Sequence, residues 1–132
     1  MSEDNAQSQE KAPVGDWLLR TWIATAGKGN GGLGVTITTA AGLISGVLIS
    51  EMEFLDGISE GLADGFNGQG EAFRGMFDQL RELDGKMPIT HIHLKQAKLL
   101  TSNGMAEVGL KGLWRGELTA VIGHSVGQFS LA

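Results

Sequence analysis

At Glu51 the spacing of apolar residues changes, and that change limits what the chain can become. Before it, Val35, Ile37 and Thr39 alternate with Thr36, Thr38 and Ala40. A period of two sorts side chains onto the two faces of a β-strand. Leu43 to Ser50 reads as a mostly apolar return strand, joined to the first through a turn at Ala41-Gly42. After it, Phe54, Leu55, Ile58, Leu62 and Phe66 recur at helical spacing, with Glu51, Glu53, Asp56, Glu60 and Asp64 between them. Asn67-Gly68-Gln69-Gly70 interrupts this run. A second amphipathic run then presents Phe73, Met76, Phe77, Leu80 and Leu83 and closes at Asp84-Gly85, with glycine as C-cap. From Ile89 the pattern is β again.

Around this switch the remaining elements follow. Residues 1–14, polar and containing Pro13, read as a disordered leader. A helix follows, with Asp16 as N-cap and Trp17, Leu18, Trp22 and Ile23 expected on one face. It stops in the glycine loop 27–32. Beyond the insertion, Ile89 to Leu100 reads as a strand and Thr101-Ser102-Asn103-Gly104 as a turn. Glu107 to Val121 supplies one or two strands with a bulge at Gly109 or Gly112. Gly123 is expected to turn the chain before a last strand from Val126 to Leu131. The fold class is therefore α+β: an N-terminal helix and about five strongly bent antiparallel strands, with a helical insertion over about 51–84 between strands 2 and 3. Residues 15–132 form one domain, since 132 residues hold one core but not two. The strand order is reminiscent of an Sm-like partial barrel, an analogy that does not dictate function.

Charge and composition exclude some functions. The formal net charge of −5 argues against nucleic acid, whose phosphates need clustered Lys and Arg. An Sm-like RNA-binding module, or another small homo-oligomeric interaction module, is the alternative reading from strand order. The chain has no cysteine, so disulfides and thiolate metal sites are out. Gly29 to Ser50 is uncharged and long enough to span a bilayer, but its period of two and its Gly, Thr and Ser content argue against a membrane span. No secretory signal is present, which leaves a cytoplasmic location. Segment 51–86 carries nine acidic and three basic residues, whereas 89–132 carries two acidic and four basic. The two parts can attract partners, or each other.

Four motifs suggest chemistry. Gly29-Asn30-Gly31-Gly32-Leu33-Gly34 matches the dinucleotide fingerprint letter for letter, but a helix precedes it and a strand follows, the reverse of what pyrophosphate binding needs. His91 and His93 lie two apart on a strand and, with His124, make three imidazoles; no further residue has ligand spacing, so no metal or other cofactor is expected. Gly123-His124-Ser125-Val126-Gly127 fits the nucleophile-elbow pattern. A hydrolase of that kind needs a histidine base later in the chain and a helix after the serine, and only Val126 to Ala132 remain. No catalytic residue is expected. Trp114-Arg115 places a ring on one strand face and a guanidinium on the other: either Trp114 is core and Arg115 pairs with an acid such as Glu117, or an exposed Trp114 or Arg115 is an interface anchor.

Three blocks taken in order carry a resemblance. "GLISGVLISEMEFLDGISE", "HIHLKQAKLL" and "LWRGELTAVIGHSVGQFS" are similar to the gas-vesicle accessory protein U family, over roughly Gly32 to Leu131. By position, Ile44, Ser45, Gly46, Ile49, Ser50 and Phe54 match the first block. Ile92, His93, Leu94, Lys95 and Ala97 match the second, and Trp114, Arg115, Gly116 and Gly127 the third. Val121 to Ser125 departs from the aspartate-glycine-aromatic turn of the family, and the chain lacks a basic tail. The resemblance implies a non-enzymatic cytoplasmic protein whose partners are gas-vesicle shell proteins and further copies of itself, and which controls vesicle clustering or assembly. Candidate contact residues are Glu51, Glu53, Asp56 and Glu60 on the acidic segment and His93, Lys95, Trp114 and Arg115 on the strands.

Overall fold

The computed structural model describes residues 13–26, 32–65 and 70–129. Expectations for 1–12, for the glycine loop at 27–31 with the start of the fingerprint, for Phe66 and the Asn67-Gly68-Gln69 break, and for the end of the last strand at 130–131 lie outside them. Three α-helices are described, α1 (Trp17–Ala26), α2 (Glu51–Gly65) and α3 (Gly70–Arg81). The strands are β1 (Leu33–Thr39), β2 (Gly42–Ile49), β3 (His91–Thr101), β4 (Gly104–Glu107), β5 (Trp114–Glu117) and β6 (Val121–Val126). The stretch whose length could have spanned a bilayer is the β1–β2 hairpin, and no helix among the described residues is long and apolar enough to cross a membrane.

Asp16 caps α1: its Oδ2 accepts from the amides of Leu18 at 2.9 Å and Leu19 at 3.0 Å. The buried stripe is Leu19, Ile23 and Ala26, with Trp22 packed half-buried against it; of the expected Trp17, Leu18, Trp22 and Ile23, Trp17 points away. Trp17 is 68% exposed, because it lies half a turn away from the i, i+4, i+7 line that meets the sheet.

Every paired strand runs antiparallel to its neighbour, in the order β4-β3-β2-β1-β6, and β5 adds to β3. The long strand β3 pairs β5 along His91–Leu94 and β4 along Lys98–Thr101, both on the side away from β2. Between those halves Gln96 has a φ of 54°, and the β2–β3 register shifts opposite Gly46. Close backbone approach fills that irregularity. A Cβ on Gly46 would lie 3.0 Å from the Lys95 carbonyl oxygen, and one on Gly112 would lie 2.7 Å from Gln96 Cα and Ala97 N. Gly112 also has a φ of +71°, so it is glycine for two reasons.

The sheet curls strongly. Only Leu118–Ala120, a 3₁₀ turn, links the end of β5 to the start of β6 at the opposite edge. Four flat strand spacings would cover about 19 Å, more than the roughly 14 Å that four residues reach. Leu118, 1% exposed, sits in the core at this crossing. The sheet is nevertheless not closed, since β5 and β6 do not pair.

Its inner face, toward α1, carries the apolar core: Val35, Ile37, Ile44, Leu48, Ile92, Leu94 and Ala97, joined by Leu19, Ile23 and Leu118. Val14 packs against the same cluster.

Five features differ from expectation. β3 begins at His91 rather than Ile89, and α3 ends at Arg81, with a run of tight turns leading on to Gly85, whose φ is +74°. The stretch from Glu107 to Val121 is broken by two 3₁₀ turns, Leu110–Gly112 and Leu118–Ala120, around the short β5. Gly123 does not turn the chain: it lies inside β6, where pairing with Thr38 continues the ladder. Residues 127–129 do not form a further strand but cross the outer face. The Gly127 amide donates to the Gly34 carbonyl at 2.6 Å and the Phe129 amide to Ser45 Oγ at 3.1 Å.

Candidate interaction site on the outer face

α2 leaves β2 at Ser50, whose Oγ accepts from the Glu53 amide at 3.1 Å as an N-cap. The helix then lies over the face where β3 presents His93 and Lys95 and β5 presents Arg115. Residues that alternate with the core positions necessarily point this way.

His93 is 3% exposed. Arg115 Nε donates to His93 Nε2 at 3.1 Å, so that nitrogen is an acceptor and the ring is neutral. Glu51 Oε2 lies 3.6 Å from Arg115 Nη2 and 3.9 Å from His93 Nε2. Burial, then the Arg115 charge, then His91 lower the His93 pKa to about 4. The Phe54 ring packs on the imidazole, with centroids 4.8 Å apart.

A turn further along, Glu53 Oε2 accepts from Lys95 Nζ at 3.1 Å. Asp56 pairs with Arg81 of α3, which also reaches Asp78 at 2.9 Å. The acidic edge of α2 is thus engaged within the chain, to the strands on one side and to α3 on the other. Glu60 remains exposed beside a groove of about 410 Å³ that Lys111 and Lys95 also line.

Beyond these ion pairs α2 approaches the segment that precedes β5 through glycine. A Cβ on Gly57 would lie 2.9 Å from Leu113 Cδ1, and one on Gly61 would lie 2.4 Å from Leu110 Cδ2. One helix turn apart, the two glycines form a notch for two leucines. Sequence reasoning passed over this notch, although Gly57-x-x-x-Gly61 was its signal. It also passed over Arg81, whose role depends on how α3 folds back on α2.

Trp114 does not join this cluster. It is half-buried against the inner core, and its ring lies over Gly116, where a Cβ would come within 2.3 Å of Trp114 Cη2. Arg115 does find an acidic partner, but it is Glu51, together with His93, and not its strand neighbour Glu117. His124 stands opposite Ile37 on the inner face of β6, on the far side of β1 and β2 from His91 and His93, so the three imidazoles do not converge. Among the described residues no three His, Asp or Glu are placed to hold a metal ion. Ser125, exposed on the opposite face from His124, has no histidine beside it.

The remaining motif residues have structural work. Ile44, Ile49, Leu94 and Ala97 are buried, and Ser45, 3% exposed, accepts from Phe129. Gly127, with a φ of +109°, ends β6 and lets the chain turn onto the outer face.

A family model described as gas vesicle protein GvpU-like matches residues 16–129. Neither a curated protein nor a solved structure matches the chain.

Proposed function

The chain belongs to the GvpU-like family of gas vesicle proteins, and from that premise we propose that it is a non-enzymatic cytoplasmic accessory factor. It associates with vesicle shell proteins and with further copies of itself, and so controls how vesicles cluster or assemble. The family match over most of the chain carries this reading.

The geometry adds support. Glu51, Glu53 and Asp56 hold the helical arm in place, so the contacts offered outward come from the arm's far side. There α3 exposes Met76 and Leu80, continued by Leu83 and Met87, with Glu71, Glu82 and Asp84 also at the surface. Apolar groups beside like charges make contacts that depend on salt. Mixing the full-length protein with buoyant vesicles and floating them is the test. The protein rises with the vesicles at low salt and less so as salt is raised; retention in the subnatant at low salt rejects the reading.

A further inference from the structure

Among the described residues, strand β6 ends the sheet on its side and pairs with β1 alone. The bond from the Gly127 amide to the Gly34 carbonyl sets the phase of that ladder. Antiparallel pairs alternate, so Ser125 and Gly123 turn their backbone groups toward Thr36 and Thr38. His124 and Val126 turn theirs to the open edge. Ile122, at the register shift opposite Thr38 and Thr39, is 71% exposed, and Val126 is 57% exposed.

Proteins block such an edge with charged residues, proline, a bulge or a covering segment; the bulge here lies at Ile122, and beyond it Gly123 to Val126 pair regularly with Thr38 to Val35. Val121 to Phe129 contains no charged residue and no proline. Residues 127–129 fold across the outer face instead of along the edge. Among the described residues no strand pairs with the far side of β6.

We propose that this edge pairs antiparallel with the same edge of a second copy, about a twofold axis at His124. Two features select a second copy as the occupant. An antiparallel strand edge is self-complementary under a twofold, every outward donor meeting an outward acceptor. Ile122 and Val126 lie two residues either side of His124, so each Ile122 faces the other copy's Val126 in a cross-strand apolar pair. Charge points the same way. Two copies with net charge −5 repel, and the acidic helices lie over β3 at the other side of the sheet, so the uncharged β6 edge is where approach costs least. Pairing of six residues makes a small, reversible interface.

This inference rests on the self-association part of the proposed function and names its surface. Sedimentation of the full chain tests it. Wild type shows a concentration-dependent monomer–dimer equilibrium. Ile122→Lys weakens it about tenfold or more, because the twofold places the charge in the interface twice. His124→Pro removes an outward amide without touching the β1 ladder, so dimerisation is lost while the thermal midpoint stays near wild type. If proline perturbs the strand, Ile122→Lys decides the question alone. The chain has no cysteine, so His124→Cys, about 5.5 Å between Cα atoms across the axis, closes into a disulfide-linked dimer on mild oxidation, and a Thr21→Cys control does not. A wild type that stays monomeric, or a dimer indifferent to all three changes, overturns the proposal. Flotation separates it from the functional reading: His124→Pro that still floats with vesicles but no longer dimerises supports both. Dimerisation without any vesicle association leaves the edge pairing standing and removes the family role.

Discussion

The two faces of this sheet are held by different physics. The inner face, under α1, is a continuous apolar cluster whose members Val35, Ile37, Leu48, Ile92 and Leu94 are fully buried. The outer face, under α2, joins the same strands to a helix through a buried neutral histidine, ion pairs and a glycine notch. Burial of apolar area does not titrate and is not screened by salt, whereas the outer contacts respond to pH and to ionic screening. A molecule built this way can keep its core while its helical arm loosens.

The largest test of that contrast is Leu94→Ala on the inner face. A cavity at a fully buried leucine costs about 3 kcal/mol, with little dependence on pH or on screening by moderate salt; denaturant unfolding measures it. The outer face gives a signature of another kind. His93 titrates at about 4 in the folded chain against 6.5 in the unfolded one. Between those values the unfolded state binds the extra proton, so stability is full above pH 6.5 and falls as pH drops toward 4. The loss is on the order of 3 kcal/mol. His93→Gln, which keeps an acceptor for Arg115 but does not titrate, flattens that slope in unfolding curves taken at pH 7, 6, 5 and 4. A slope that survives the substitution would assign it to other groups.

The smallest effect belongs to Lys95 and Glu53, both nearly half exposed. A double-mutant cycle with Lys95→Met and Glu53→Gln yields a coupling below about 1 kcal/mol, fading as salt is added. A salt-independent coupling would mean that the pair is shielded from solvent and that the two faces differ less than the geometry implies.

Much of this fold is legible in the sequence. The change of period at Glu51 marks the β2–α2 junction, and Ser50 caps α2 where that change occurs. The helical insertion, the β1–β2 hairpin and the turn after β3 follow from local spacing and glycine placement. The charge imbalance between 51–86 and 89–132 allows for mutual attraction, and the structure realises it in Glu51–Arg115 and Glu53–Lys95. What stays hidden is pairing between residues far apart in the chain. Gly123 reads as a turn because glycine alone does not tell a bend from a strand interior; the partner strand decides. Trp17 draws attention by size, but the helix buries whichever stripe the sheet meets, and that stripe takes in Trp22 and not Trp17. His91, His93 and His124 look like one set until strand order separates them.

The sequence by itself determined the helices, the β1–β2 hairpin and β3, the order of these elements, and the family to which the chain belongs. These depend on periodicity, capping and turn chemistry, all of them local. Only the tertiary structure decided that His93 is buried and neutral, that α2 is held by glycines and by Arg81, and that β6 ends the sheet with an uncharged edge. Each of those depends on which strand lies beside which and on how far the sheet curls, and short-range patterns carry no record of that.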